Sequence, residues 1–168
     1  MLDHGPPGPP SREGFEYWVA PHWAAMAGLA CRLASPAEAE DIVQEAVLLA
    51  WRKRERFDSS KGTARTWLLA LTADQARRFR RRARRVSRTF EVPDTATHPP
   101  ETGDLDLRAA TMRLSYRQRL AVAAYYYLDL PIREVAAVMA CSEGTVKSTL
   151  ADARSRLRQL LQEETDHA

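Results

Sequence analysis

Apolar residues in this chain recur every three or four positions and nowhere alternate, so its elements read as helices rather than strands. Phe15, Val19, Trp23, Met26, Leu29 and Leu33 make one such stripe. Ile42, Ala46, Leu49 and Ala50 make a second, and Trp67, Leu68 and Leu71 a third. The rhythm then stops. Residues 86–112 carry Pro93, Pro99 and Pro100 with the acids Glu91, Asp94, Glu101, Asp104 and Asp106, which is linker composition. Helical spacing resumes at about Leu114 and continues to Glu164. The expected fold class is therefore all-α: two small helical domains, 15–85 and 113–164, joined by a flexible acidic linker at 86–112. The Pro- and Gly-rich residues 1–14 read as a disordered tail, and 165–168 as a short C-terminal one.

Local signals sharpen some boundaries. Ser35, Pro36 and Glu38 form an S-x-x-E capping box that opens the second helix, which runs to about Arg54. The polar stretch Arg56, Phe57, Asp58, Ser59, Ser60, Lys61, Gly62 is a loop, and the third helix begins near Thr63.

The net charge of +3 hides a segregation. Eight of the 25 basic residues are arginines packed into 77–88, a stretch without an acid; the other 17 stand against 22 acids, a net of −5. Eight like charges in twelve residues repel one another and favour a polyanion, nucleic acid first.

Several classes are excluded. No run approaches the roughly 18 apolar residues of a membrane span. The N-terminus lacks an apolar signal core, so a cytoplasmic protein without membrane insertion is expected. Two cysteines far apart, Cys31 and Cys141, and four histidines without ligand spacing indicate no metal site. No phosphate loop or nucleophile elbow is present. Neither a cofactor nor enzymatic activity is expected.

In the C-terminal block, Pro131 opens a short helix, Ala140 and Cys141 end it, and Ser142 can cap a longer helix to about Leu161. A short helix, a tight turn and a longer helix is helix-turn-helix spacing, which offers the start of the second helix to the major groove. Thr145, Lys147, Ser148, Thr149 and Asp152 are the expected outward positions there. A helical hairpin with a solvated polar face has the same spacing.

The residue words go further. Tyr125-Tyr126-Tyr127-Leu128-Asp129-Leu130, Glu134-Val135-Ala136 and Ser142-Glu143-Gly144-Thr145-Val146-Lys147-Ser148 resemble region 4 of the bacterial sigma-70 family, in its extracytoplasmic-function (ECF) branch. The last of these words also occurs in LuxR-type regulators, so a conventional helix-turn-helix regulator is the alternative. Ala39-Glu40-Asp41-Ile42-Val43-Gln44-Glu45-Ala46, Ala50-Trp51, Arg56-Phe57-Asp58 and Trp67-Leu68 resemble ECF region 2, for which LuxR regulators have no counterpart.

The resemblance implies a transcription initiation factor. Asp41, Gln44, Glu45 and Leu48, on one helix face, would bind core RNA polymerase at the β′ clamp helices, with region 4 meeting the β flap. Arg56, Ser59, Ser60, Lys61, Arg65, Asp74, Arg77, Arg78, Arg80 and Arg81 would contact promoter DNA at the −10 element, while Phe57 and Trp67 fit the core better. Thr145, Lys147, Ser148, Thr149 and Asp152 would contact the −35 element. An anti-sigma factor is a typical further partner. Three departures stand out: Asp74 replaces a usual asparagine, Thr149 and Asp152 replace usual basic residues, and Ala140-Cys141 stands where the turn commonly has glycine.

Overall fold

A computed structural model of the chain describes residues 11, 14–89 and 104–165. Most of the expected N-terminal tail, the middle of the expected linker and the last three residues lie outside the described residues. The described elements are α1 (Phe15–Val19), α2 (Trp23–Leu33), α3 (Pro36–Lys53), α4 (Ala64–Thr89), α5 (Asp104–Met112), α6 (Tyr116–Val122), α7 (Ile132–Met139) and α8 (Glu143–Thr165), with no strand among the described residues.

The expected single stripe from Phe15 to Leu33 is broken. Pro21 sits in a 3-10 turn, Ala20–His22, between α1 and α2. Proline has no N–H to give an α-helix and clashes with the preceding turn. The capping box is present: the Ser35 N–H and hydroxyl donate to Glu38 Oε2 at 3.1 and 2.7 Å. A second box opens α6, where the Ser115 N–H donates to Gln118 Oε1 at 3.1 Å and the Ser115 hydroxyl oxygen accepts from the Gln118 N–H at 3.3 Å. Helix α6 passes into a π-type turn, Ala123–Tyr127. Its end has Asp129 at φ 53°, a left-handed position that aspartate tolerates.

The linker expectation also changes. Helix α5 occupies the end of the segment read as linker, and it packs on α8. Its own Ala110 is fully buried.

The two halves do not stand apart. α2, α3 and α4 pack together around Met26, Leu29, Ile42, Ala46, Leu68 and Leu69. α6, α7 and α8 pack around Leu120, Val135, Val146 and Leu150. α7 then lies on α4, and α6 on α2, so that one contiguous apolar core runs through both.

Candidate nucleic-acid interface

α3 separates two faces. Ile42, Val43, Ala46 and Ala50 are buried, whereas Asp41, Gln44, Glu45 and Leu48 are all exposed. Leu48 keeps 48% of its surface exposed, and the Gln44 amide donates to Glu40 Oε1 at 3.2 Å. A leucine thus stands exposed among acids and an amide, on a helix whose other face is tightly packed.

The loop after α3 is more ordered than its composition suggests. Asp58 accepts from the Ser60 hydroxyl at 2.6 Å and from the Ser60 N–H at 3.0 Å, and pairs with Lys61 at 3.2 Å. These contacts, the Ser60 hydroxyl first, hold the Asp58 carboxyl below the usual carboxylate range. Arg56, Ser59, Ser60 and Lys61 are exposed around this turn. Asp58 is a further residue of this loop beyond those expected from the sequence, and an aspartate two positions before a serine is its Asx-turn signal. Phe57 and Trp67 are half-buried with Trp18 in an aromatic cluster, with ring centroids 5.2–5.8 Å apart. That agrees with a packing role for both.

α4 then carries the arginines, but not all of them in the same way. Arg77, Arg78 and Arg81 are exposed. Asp74, half-buried, pairs with Arg77 Nη2 at 2.6 Å and with Arg78 Nε at 3.0 Å. Burial pushes the Asp74 carboxyl up, yet the hydrogen bonds and charges of the two arginines outweigh it and leave it lowered. Asp74 is thus not the bare acid that the sequence suggests; it neutralises and orients two members of the strip. Arg80 is half-buried over the Tyr116 ring, 5.7 Å from its centroid, and burial followed by the charge of Arg84 lowers its pKa. Arg65 is turned toward the C-terminal half, where Nη2 donates to the Leu128 carbonyl at 2.9 Å.

The helix-turn-helix geometry is formed by α7, a tight turn and α8. Ala140 has φ 51°, and the Cys141 N–H reaches the Ala136 carbonyl at 3.0 Å. Ser142 caps α8 by accepting from the Thr145 N–H at 3.2 Å. Lys147, Ser148 and Asp152 are exposed, and Thr145 is half-buried. Thr149 corrects the sequence reading: it is 9% exposed, and its hydroxyl donates to the Thr145 carbonyl at 2.7 Å. With Val146, Leu150 and Ala153 it completes an inward i, i+3, i+4, i+7 stripe.

Comparison with known proteins matches this arrangement twice. The description Sigma-70 region 2 covers residues 22–86, and Sigma-70, region 4 covers residues 104–157, beginning at the first residue of α5. The ECF RNA polymerase sigma factor SigL of Mycobacterium tuberculosis is 32% identical over 151 residues, 84% of this chain and 85% of the relative. The sigma factor RpoE of Bartonella quintana, solved in complex with the anti-sigma factor NepR, superposes with a TM-score of 0.74 at 29% identity, over 89% of this chain and 98% of that one. CnrH, solved with the cytosolic domain of CnrY, shares the fold with a TM-score of 0.67 at 24% identity, over 91% and 90%. The chain belongs to the ECF branch of the sigma-70 family. A regulator of LuxR type would account for the C-terminal half alone, whereas both halves match here in sigma order. Among the described residues, no helix is long and apolar enough to cross a membrane.

Proposed function

We propose that this chain binds core RNA polymerase and directs promoter-specific initiation, with the N-terminal domain reading and melting the −10 element and the C-terminal helix-turn-helix holding the −35 element. The observation that carries the reading is the exposed α3 face of Asp41, Gln44, Glu45 and Leu48. It is kept out of the core on a helix whose other side is fully used, and it corresponds to the family's clamp-docking helix. The helix-turn-helix head supports the second part, since Lys147, Ser148 and Asp152 stand exposed at the start of α8. The exposed arginines of α4 supply phosphate contacts; six such contacts give a log–log salt slope of about −5.

The factor works by binding rather than by bond chemistry. It captures the strand-separated promoter in preference to duplex and so shifts that equilibrium. An anti-sigma factor is its regulator in this reading, supported by the relative RpoE, which was solved in complex with the anti-sigma factor NepR.

The decisive experiment pairs Gln44→Ala with Glu45→Ala and measures association with core polymerase by fluorescence anisotropy, with circular dichroism as the fold control. Loss of core binding with helicity retained is expected. Wild-type affinity in the folded double variant refutes the docking role.

A further inference from the structure

Among the described residues, Arg119 is the one ionised side chain that the fold buries, at 8% exposure. Its surroundings do not suit a cation. Nη1 donates to the Met112 thioether at 3.4 Å, a weak acceptor, and Nε is buried without a hydrogen-bond partner. No acid among the described residues pairs with it. A guanidinium stays charged in a protein, and buried charges are normally paired.

The neighbourhood adds positive charge instead. Tyr116, one turn before Arg119 on α6, receives Arg80 of α4 over its ring, 5.7 Å from the centroid. The ring gives Arg80 the modest attraction of a π face and no counter-charge. Burial lowers the pKa of Arg119, and the charge of Arg80 lowers it further. Arg80 is itself opposed by Arg84, one turn on. Asp74, the acid whose charge also reaches Tyr116, is engaged by Arg77 and Arg78 at 2.6 and 3.0 Å. The Tyr116 hydroxyl is engaged as well, by the Ala73 carbonyl.

We propose that Arg119 and Arg80 hold a compact oxyanion of the phosphate class between α6 and α4, with exposed Arg84 at the rim of the site. The unpaired buried guanidinium is the observation that carries it. A guanidinium presents its N–H groups in a fork that matches phosphate oxygens, and Arg119 Nε is a vacant prong of such a fork. More than one cation calls for an anion of more than one charge, which a phosphate supplies and a single carboxylate does not. Size follows from burial: with 8% of Arg119 exposed, a small ion can reach it and a nucleic-acid backbone cannot. The residues differ from the solvent-facing cradle of Arg78, Arg81, Arg82 and Arg85 on α4, and the site does not depend on the promoter reading. Binding there ties α6 to α4 and stabilises the folded chain by mass action.

The test uses the full chain and inorganic phosphate, titrated by isothermal calorimetry against chloride at constant ionic strength. One saturable site is expected in the wild type. Arg119→Met replaces the buried charge with an unbranched apolar chain, an exchange that buried charges commonly tolerate. It should weaken phosphate by about tenfold or more, the loss of one hydrogen-bonded charge pair. Arg82→Gln, in the solvent-facing cradle, should leave phosphate affinity within about twofold, since exposed charges are screened. Thermal melts give a second reading: phosphate should raise Tm in the wild type and raise it less in Arg119→Met. Arg80→Gln should weaken phosphate too, and it carries the test if Arg119→Met loses helicity by circular dichroism. No saturable site in the wild type overturns the proposal. So does wild-type phosphate affinity in a folded Arg119→Met chain, or in Arg80→Gln where that chain does not fold. A single-stranded oligo(dT) probe separates free phosphate from strand phosphate, and it should bind wild type and Arg119→Met alike. A loss of strand affinity as large as the loss of phosphate affinity assigns Arg119 to the strand backbone and overturns the small-ion site.

Discussion

The Tyr116 hydroxyl donates to the Ala73 carbonyl across the two domains at 2.5 Å, and burial pushes its pKa up to about 12. Because the group is held neutral in the folded state, it adds stability that is complete below its unfolded value, about 10, and is lost as pH rises through about 12. Tyr116→Phe keeps the ring and removes the donor. It should cost about 1 kcal/mol in urea unfolding at pH 7, the usual net worth of one hydrogen bond. It should also flatten the loss of stability between pH 10 and 12. An equally steep alkaline loss in the variant assigns the titration to another group.

Asp74 pairs with both Arg77 and Arg78, so the strip presents less charge than its composition states. Asp74→Asn removes that neutralisation and leaves a side chain of the same shape. Duplex affinity at low salt should rise, and the slope of log K against log salt should steepen by about 1, one further phosphate contact. The fold should change little, since exposed ion pairs contribute about 0–1 kcal/mol. A slope unchanged between wild type and variant means that Arg77 and Arg78 do not meet phosphate.

What the sequence made legible was local. Ser35 and Glu38, three apart, announce the start of α3, and Ser142 announces α8. The alternation of buried Ile42 and Ala46 with exposed Asp41 and Glu45 follows from helical spacing alone. The contacts between domains were not legible. Gly28 and Tyr127 are distant in sequence, and nothing near either residue encodes their approach. Arg65 and Arg80 read as further arginines facing DNA because charge does not report which face a neighbouring domain covers. Thr149 departs from its expected outward place for another reason: a hydroxyl suits solvent, but its spacing from Val146 and Ala153 puts it on the inner face.

The burial of Thr149 beside the exposed Lys147 separates two variants of α8. Thr149→Val keeps the volume but loses the bond to the Thr145 carbonyl; stability should fall by about 1 kcal/mol in urea while DNA affinity stays within about twofold. Lys147→Ala, at an exposed position, should leave stability unchanged within about 0.5 kcal/mol. It should weaken DNA binding and lower the salt slope by about 1. A large loss of DNA affinity in Thr149→Val, with stability intact, would return Thr149 to the reading face.

Ala140 closes α7 in a conformation that suits glycine. Its φ is 51°, its N–H reaches the Ala137 carbonyl at 3.2 Å, and the Cys141 N–H reaches the Ala136 carbonyl at 3.0 Å. This pair of bonds is the Schellman ending, whose left-handed residue is usually glycine because a Cβ there meets the following carbonyl. The left-handed conformation costs an L-residue about 1–2 kcal/mol, and the greater freedom of glycine in the unfolded chain returns about 0.5–1 of that. Ala140→Gly should therefore stabilise the protein by about 0.5–1 kcal/mol and raise Tm by about 1–4 °C. Ala140→Val, with branching at the crowded carbon, should destabilise it. Urea midpoints at constant m-value decide the matter. A midpoint lower in Ala140→Gly than in wild type means that the turn relieves the strain elsewhere, and that the missing glycine marks no weakness in the helix-turn-helix.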